Sequence, residues 1–343
     1  MANFAHHGES NGPDAKSPLA KLSRWLPWLI GAAACAAVVL VVTHSAEEQH
    51  FLQLAKKIKP AWLGVALLLQ AATYVVQGLT WRLTARKESA LTMGKACQLS
   101  LAMLFVDQAL PTAGVSGITL ATGALSRLGI PRPAVASAVV VYMAIYYFAY
   151  AFCMSLAAGI TMFHGYLPGW VTAAMLLFVL VRLGMGWFLI RLSGGGMKGL
   201  SDKLCRVKKL AQVLDFFKEA DRESFRNFGL LGRVFLLHSA TFFLDASTLW
   251  VAILALGGAP PLGGLFASFM VSTFFRTVGI APGGLGTFEA ASVISLKSIH
   301  LPLRVGLSAT LLFRGLSFWL PMIPGLICSQ RLLGKHGGRS QRS

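Results

Sequence analysis

Two Pro/Gly-rich breaks interrupt otherwise apolar stretches, one in each half of this chain of 343 residues. The first break reads LPTAGVSG over residues 110–117, and the second reads APGGLGTFE over residues 281–289. Inside a bilayer, such a break frees backbone N–H and C=O groups, so it is tolerated only where protein or a water-filled cavity covers them. A matched pair of breaks is typical of proteins that bind a transported substrate near the membrane midplane.

The composition is that of a multi-pass membrane protein. Hydrophobic residues make up 55% of the chain and charged residues 13%, whereas soluble domains carry roughly 45–50% and 25%. The formal net charge of +18 comes from Lys and Arg that lie between the apolar runs and at the termini. We attribute this charge to membrane topology and anionic lipid headgroups, and we expect no nucleic-acid partner because no nucleic-acid-binding motif is present.

Six apolar runs are long enough to cross a bilayer as helices. They lie at about residues 25–43, 61–80, 134–156, 169–190, 233–256 and 305–327. The two broken regions, at about 97–126 and 265–298, lie between these runs. The sequence therefore predicts an all-α polytopic membrane protein with about six full transmembrane helices and two re-entrant helical hairpins.

Loop charge predicts the topology. Strongly basic segments precede the first run, follow the second and fourth runs, and end the chain, and the positive-inside rule assigns all of them to the cytoplasm. They share one side only if each broken region returns to the side it entered from, either as a re-entrant hairpin or by two full crossings. We expect a disordered cytoplasmic tail at 1–24, one transmembrane domain at 25–330 with a basic cytoplasmic loop at 191–228, and a basic cytoplasmic tail at 331–343.

The spacing of the breaks indicates an internal repeat. Pro111 and Pro282 are separated by 282 − 111 = 171 positions, and Pro131 and Pro302 by 302 − 131 = 171 positions. In the predicted topology, the two copies of the repeat cross the membrane in opposite directions. The sequence therefore predicts an inverted repeat whose halves are about residues 61–190 and 233–327.

Ionisable groups inside spanning segments are costly, so each one is a candidate functional residue. The helix N-termini at the breaks add N–H groups and positive dipole ends, which attract anions such as phosphate. The predicted substrate-binding residues are Arg276, Glu289, Arg314, Asp107, Asp245 and two hydroxyl residues at helix N-cap positions, Ser116 and Thr287. The predicted break residues are Pro111, Gly114, Gly117, Pro282, Gly283, Gly284 and Gly286.

Each charged candidate also has a structural interpretation. Arg276, Glu289 and Arg314 either converge on a cavity, where the arginines grip a phosphate, or form an ion pair that seals the hairpin. The two aspartates either line the same cavity or join helices by hydrogen bonds. Because Arg182 is only nine positions from Arg191, we expect its side chain to snorkel to the cytoplasmic interface.

The sequence contains no Cys/His cluster with metal-ligand spacing, since its five cysteines are scattered. It also shows no nucleophile–base constellation and no phosphate-binding loop. We therefore expect no metal, no cofactor and no enzymatic activity.

The motif APGGLGTFEA at residues 281–290 resembles the signature of the lysylphosphatidylglycerol synthase transmembrane-region family. That signature is a PGGLG-x-x-E hairpin with one Arg before it and another in the following span. Here the PGGLG core and Glu289 match, and Arg276 and Arg314 take the flanking positions. The first break matches less closely, because it has fewer glycines and lacks the acidic residue that often follows. The resemblance covers about residues 25–330.

The resemblance implies a lipid-translocating domain of the bacterial inner membrane. In bifunctional members, this domain flips aminoacylated phosphatidylglycerol and is followed by a soluble aminoacyl-transferase domain. Only 343 − 327 = 16 residues follow the last predicted span, so we expect no aminoacyl transfer here. Stand-alone relatives have been linked to other lipids, including hopanoid-associated systems, and the sequence does not choose among them.

Three functional classes stay open at this point. The first is a lipid flippase, whose partners are membrane lipids with anionic or zwitterionic headgroups. The second is an ion-coupled carrier of a small anionic solute, and the third is a non-transporting membrane partner of a lipid-biosynthesis enzyme. The paired breaks favour the flippase, in the inner membrane with both termini cytoplasmic, and they leave open a homo-oligomer.

Overall fold

A computed structural model describes residues 60–85, 91–110, 115–193, 214–279 and 281–334. All secondary structure in these ranges is helical. Several predicted features lie outside the described residues: the span at 25–43, most of the loop at 191–228, nearly all of the two tails, and the break residues Pro111 and Gly114.

The principal helices are numbered here in chain order. They are α1 (Pro60–Thr84), α2 (Met93–Ala109), α3 (Val115–Arg127), α4 (Arg132–His164), α5 (Gly169–Leu192), α6 (Phe228–Ala255), α7 (Leu262–Val278), α8 (Thr287–Ser298), α9 (Leu303–Arg314) and α10 (Leu320–Gly334). A short 3₁₀ turn, Pro282–Gly284, lies between α7 and α8. A π-helical segment, Gly315–Trp319, joins α9 to α10.

Five helical stretches in the described ranges are long and apolar enough to cross a bilayer. They are α1, α4, α5, α6 and the continuous stretch Leu303–Leu332, and they coincide with five of the six predicted spans. Their lengths of 24 to 33 residues correspond to about 36–50 Å of helix, which exceeds the roughly 30 Å hydrocarbon core and leaves room for tilt.

Local sequence signals account for several helix ends. The Asn227 side chain accepts a hydrogen bond from the Leu230 N–H at 3.0 Å and so caps the start of α6. Pro131 and Pro302 directly precede α4 and α9, where the missing proline N–H costs no helical hydrogen bond. Gly165 ends α4 with a φ of 65°, a left-handed conformation that favours glycine.

Helices α1 and α6 pack against each other in opposite directions. Near their middles, Thr73 Oγ1 donates to Asp245 Oδ1 at 3.3 Å. At the C-terminal end of α1, Leu83 packs with Leu230 and Val234, which lie at the N-terminal end of α6. The two helices are therefore an antiparallel pair.

The second broken segment is a helical hairpin of α7, the turn and α8, called the second hairpin below. Its arms are antiparallel, because Ser268 Oγ donates to the Ser295 carbonyl at 3.1 Å. Its base lies at the C-terminal end of α4, where Gly263 packs against Ile160. Its tip lies near the middle of α4, because the hydroxyls of Thr277 and Tyr150 are 3.1 Å apart there.

The first broken segment, α2 and α3, is called the first hairpin below. Its arms meet near the break, where Asp107 Oδ1 accepts from the Gly117 N–H at 2.7 Å. Gln108 Nε2 donates to the Ser317 carbonyl at 3.4 Å, near the middle of the stretch Leu303–Leu332. At the other end of the hairpin, Arg127 Nη1 donates to the Leu332 carbonyl at 3.0 Å.

The bases of the two hairpins lie at opposite ends of the helix bundle. The first hairpin ends at Arg127, next to Arg132 at the start of α4, whereas the second hairpin begins near the end of α4.

The helix bounds of the two halves also share one offset. The ends of α1 and α6 (255 − 84), the ends of α3 and α8 (298 − 127) and the starts of α4 and α9 (303 − 132) are each 171 residues apart.

Candidate functional site

The turn of the second hairpin requires its glycines. Gly283, Gly284 and Gly286 have φ values of 58°, 66° and 81°, which are left-handed conformations that side chains rarely adopt. A Cβ on Gly283 would overlap the ring of Phe318, and one on Gly284 would overlap Arg276. The turn therefore packs against α7 and the π-helical segment with no room for a larger residue.

Arg314 and Glu289 form a buried ion pair beside this turn. Arg314 Nε lies 2.7 Å from Glu289 Oε1, and the side chains are only 4% and 3% exposed. Arg314 Nη2 also donates to the Gly283 carbonyl at 3.1 Å, and Glu289 Oε2 accepts from the Gly286 N–H at 2.7 Å. The pair thus joins α9 to both ends of the turn, and each charge has a compensating partner in a water-poor environment.

The π-helical segment Gly315–Trp319 follows Arg314 directly. It carries Phe318, whose ring centroid is 4.4 Å from the guanidinium carbon of Arg314. The Phe288 centroid is 5.2 Å from the same carbon. Cation–π attraction from these rings adds to the ion pair. Such π segments are rare in helices and occur frequently at functional sites.

The expected N-caps at the breaks were wrong. Thr287 is the first residue of α8, and the cap position belongs to Gly286. Thr287 already lies within α8, and its hydroxyl donates to the Gly284 carbonyl at 3.0 Å and does not cap the helix, while Glu289 accepts from the Gly286 N–H. Ser116 lies within the first turn of α3, because that helix begins one residue earlier, at Val115.

Arg276 and Asp245 lie on neighbouring helices close to the tip of the second hairpin. Arg276 is in the last turn of α7, half-buried, and its side chain lies against Gly284. Its charge acts on the Asp245 carboxylate, which also accepts the hydrogen bond from Thr73. Among the described residues Arg276 makes no ion pair or hydrogen bond, so its guanidinium keeps donors for another group.

Asp107 lies near the tip of the first hairpin. Its hydrogen bond to the Gly117 N–H ties the end of α2 to the first turn of α3. A Cβ on Gly117 would overlap the Asp107 carboxylate, so glycine permits this contact. The described part of the chain supplies no cationic side chain that pairs with Asp107. Asp107 thus belongs to the first hairpin and makes no ion pair with Arg314, although the neighbouring Gln108 donates to the Ser317 carbonyl in the segment that follows Arg314.

The expectation that Arg182 snorkels to the interface was wrong. Its side chain is buried, with 8% exposure, near the middle of α5. The guanidinium carbon lies 5.2 Å from the ring centroid of Tyr147, 5.0 Å from that of Tyr150 and 4.5 Å from that of Phe178. The side chain turns inward because these rings, two of them on α4, offer a favourable surface to the cation.

Sequence reasoning also missed a row of aromatic rings between the two hairpins. Tyr142 stacks on Trp81 with centroids 4.1 Å apart, and it lies 4.7 Å from the ring of His238. Tyr146 follows at 5.5 Å from His238, and Tyr150 at 5.9 Å from Tyr146. Three tyrosines spaced four residues apart share one helix face, so this spacing in α4 is the signal that could have revealed the row.

The arrangement can bind and position charged groups inside a helix bundle. The described ranges contain no group of three or more His, Cys, Asp or Glu side chains that could hold a metal ion. What they do contain is a locked hairpin turn, two arginines without an ion-pair partner among the described residues and two aspartates near the hairpin tips. Buried charge of this kind in spanning segments marks substrate or ion pathways.

These features define a multi-pass α-helical membrane protein with charged side chains inside its bundle. The family model described as the lysylphosphatidylglycerol synthase TM region matches residues 27–325, and the chain belongs to that family. The resemblance expected from the sequence is thus confirmed. The chain is also similar to a Methanocaldococcus jannaschii protein described as UPF0104 membrane protein MJ1595, with 28% identity over 86 residues. That match covers 25% of this chain and 26% of the other protein, so it spans about a quarter of each.

Proposed function

We propose that this chain is a lipid flippase of the bacterial inner membrane. A polar headgroup passes through a cavity near the membrane midplane while the acyl chains stay in the bilayer. The observation that carries the proposal is that each hairpin tip lies beside the middle of a spanning stretch. The tip of the second hairpin contacts Tyr150 of α4, and that of the first contacts Ser317 of the stretch Leu303–Leu332.

Both broken segments are re-entrant hairpins in this proposal, and the halves are inverted copies. The antiparallel arms, the tips at mid-helix and the bases at opposite ends of α4 support re-entrance from opposite sides. The common offset of 171 between helix bounds supports the repeat. Transporters built from inverted repeats bind substrates where their broken helices meet, near the midplane.

The tips are open to their surroundings. At the first tip, Leu110 is 45% exposed and Val115 is 64% exposed, and at the second tip Val278 is 55% exposed. Thr277, beside Val278, is also exposed although its hydroxyl contacts Tyr150. A headgroup that reaches the middle of the bundle therefore meets both apolar tips and hydrogen-bonding groups.

The charged residues divide into two roles. Glu289 and Arg314 position the turn, because their polar groups bind each other and the turn backbone. Arg276 and Asp245 face the headgroup, because Arg276 has no ion pair among the described residues. Asp107 joins the two arms of the first hairpin. In this proposal it is also accessible to the positively charged part of a lipid headgroup. The chain transports and does not catalyse in this scheme.

In the proposed orientation, both termini and the base of the first hairpin lie at the cytoplasmic face. The base of the first hairpin adjoins Arg127 and Arg132, and the end of α5 carries Arg191. The opposite end of the bundle holds the short connection between α4 and α5, residues 165–168, which has no Lys or Arg. Lys297 and Arg304 also lie at that opposite end, so the positive-inside rule is met only by the larger number of Lys and Arg residues at the first end.

The test is lipid exchange in reconstituted vesicles. The full chain is inserted into vesicles of phosphatidylcholine and phosphatidylglycerol that carry a fluorescent phospholipid, and an impermeant quencher reports the outer-leaflet fraction over time. We expect exchange well above that of protein-free vesicles. R276Q should slow it about tenfold or more, because a charge-assisted contact is lost. K297Q, an exposed change at the base of the same hairpin, should leave it within about twofold.

Exchange no faster than in empty vesicles would contradict the proposal. Exchange by R276Q at the parent rate would remove Arg276 from the transport route. Uptake of a labelled small anion without lipid exchange would instead identify a carrier of soluble anions. Copurification with a lipid-biosynthesis enzyme, with neither activity, would identify a non-transporting partner.

A further inference from the structure

Arg182 is a buried cation without a compensating charge in the described part of the chain. It lies near the middle of α5, and its Nε is buried without a hydrogen-bond partner among the described residues. None of the ion pairs or hydrogen bonds between described residues involves its guanidinium. Burying a lone charge is costly, and cation–π contacts with three rings offset only part of that cost. An anion from outside the chain would supply the missing partner.

A second cation approaches the same place from another helix. The charges of both Arg182 and Arg276 act on the Tyr150 hydroxyl, and the Arg182 guanidinium carbon is 5.0 Å from the Tyr150 ring centroid. The Tyr150 hydroxyl is 3.1 Å from Thr277 Oγ1, and Thr277 is exposed next to Arg276. The Arg182 guanidinium thus lies over the Tyr150 ring, the Tyr150 hydroxyl contacts Thr277, and Arg276 directly precedes Thr277 in the last turn of α7, near the tip of the second hairpin.

We propose that Arg182 and Arg276, together with the hydroxyls of Tyr150 and Thr277, form a subsite for a phosphate group. This inference deepens the proposed function and rests on it for the route by which a lipid reaches the site. The guanidinium fork matches phosphate oxygens, and the hydroxyls can donate to them. The ligand chemistry is a singly charged phosphate ester, which a lipid headgroup or a soluble phosphate compound can supply.

With Asp245 ionised, the local charge count favours that ligand. Arg182 and Arg276 contribute two positive charges, and Asp245, which interacts with Arg276, contributes one negative charge. The surplus of one positive charge matches a phosphodiester, which carries a single negative charge. A doubly charged phosphate monoester would leave the site with excess negative charge in a medium that penalises it.

The subsite lies apart from the Glu289–Arg314 pair. Arg314 is held by Glu289 and by the Gly283 carbonyl, whereas Arg182 has no hydrogen bond or ion pair with a described residue. In this proposal, therefore, Arg182 binds the anion, whereas the sequence had assigned that role to Arg314. The two arginines have different structural partners, so their variants are separable by experiment.

The test measures binding by the purified full chain in neutral detergent. The probes are short-chain phosphatidylglycerol, the soluble phosphodiester glycerophosphoglycerol, inorganic phosphate and a short-chain diacylglycerol. We expect phosphatidylglycerol to bind and diacylglycerol not to bind, because only the former carries the phosphodiester. Competition by glycerophosphoglycerol at similar concentrations would identify a soluble phosphodiester as the source instead of a lipid, and competition by inorganic phosphate would contradict the preference for a single charge.

The variants compare Arg182 with Arg191, which lies on the same helix with its guanidinium carbon 5.0 Å from the Trp187 ring centroid. R182Q should weaken phosphatidylglycerol binding about tenfold or more, since one charge-assisted contact is lost. R182K should weaken it less, because charge remains and only the fork geometry is lost. R191Q should change it by no more than about twofold, since Arg191 is exposed.

A stability measurement separates a ligand-binding arginine from a structural one. Without ligand, R182M should melt at or above the temperature of the parent chain, because an uncompensated buried charge is removed. It should also lose the stabilisation that phosphatidylglycerol gives the parent. A lower melting temperature with unchanged ligand stabilisation would overturn the proposal. If R182M does not fold, Y150F provides the second variant, and unchanged binding by Y150F and R182K together would overturn it.

The binding results are independent of the exchange assay. Binding that depends on Arg182 without leaflet exchange would uphold the subsite and contradict transport. Exchange that continues while R182Q binds phosphatidylglycerol as the parent does would uphold transport and overturn the subsite.

Discussion

The two hairpins share one layout but are held together by different chemistry. In the second hairpin, the Glu289–Arg314 ion pair fastens the turn to α9, and its charges are buried. In the first hairpin, the contact described across the break is the hydrogen bond from the Gly117 N–H to Asp107. Over the described residues, the second hairpin is thus held by a buried ion pair, whereas the first hairpin is held by hydrogen bonds of Asp107 and Gln108.

Loss of Arg314 should have the largest effect, because it unlocks the second hairpin. R314M leaves the Glu289 carboxylate buried without its cation, which costs about 3–5 kcal/mol of unfolding free energy. Denaturation by SDS in mixed micelles measures this loss. The double variant R314M/E289M should recover much of it, since no lone charge is left behind. Equal losses in the single and double variants would show that the charges are not coupled.

The glycine turn gives the next largest effect. G284A places a Cβ against Arg276 at a residue whose φ is 66°, and we expect a loss of about 2–4 kcal/mol from clash and backbone strain. G123A is the matched control in the first hairpin, because a Cβ there meets nothing within 4 Å. That change should preserve or raise the melting temperature, since alanine favours helix. A tolerated G284A would show that the turn is not packed as described.

Loss of the hydrogen bond between the Gly117 N–H and Asp107 in the first hairpin should lower the unfolding free energy by less. D107A removes the acceptor for the Gly117 N–H, and we expect a loss of about 1–2 kcal/mol, as for a helix cap. D107N keeps an acceptor oxygen at the same place, so its loss should stay below about 1 kcal/mol. Both variants are measured beside R314M in the same micelles. A D107N loss as large as that of R314M would erase the distinction between the two hairpins.

The smallest change in unfolding free energy is expected for an exposed ion pair. Arg132 Nε lies 3.0 Å from Glu219 Oε2 at the base of the first hairpin, and the side chains are 65% and 35% exposed. E219Q should change the unfolding free energy by less than about 0.5 kcal/mol, because solvent and salt screen such pairs. A larger change would mean that the contact between α4 and residue 219 contributes more than charge.

Much of the fold could be predicted from the sequence because its signals are local. Runs of apolar residues predicted five stretches that the structure shows as long apolar helices, with each end within eight residues of its predicted position. Pro131 and Pro302, which the sequence related through their spacing, directly precede α4 and α9, since proline is tolerated at a helix start and not in its interior. The glycines of the second break similarly predicted a turn that needs positive φ angles.

The contacts of the site could be predicted only in part. The sequence identified Arg314 and Glu289 and gave two interpretations, pairing or substrate binding, and the structure shows them paired. It missed the burial of Arg182, because that depends on Tyr147 and Tyr150 from another helix. No local sequence pattern predicted the π-helical segment that places Phe318 against the turn. Contacts between helices depend on packing angle and rotation, which apolar periodicity specifies only loosely.

The most direct test of the central claim is the membrane depth of the two tips. Spin labels placed at residues 110 and 278 in the reconstituted chain report depth through their collisions with oxygen and with a water-soluble nickel complex. The account predicts that both labels lie near the centre of the bilayer, while labels at the hairpin bases, residues 127 and 263, lie at headgroup depth on opposite faces. Either tip label at headgroup depth would contradict a midplane site formed by two re-entrant hairpins.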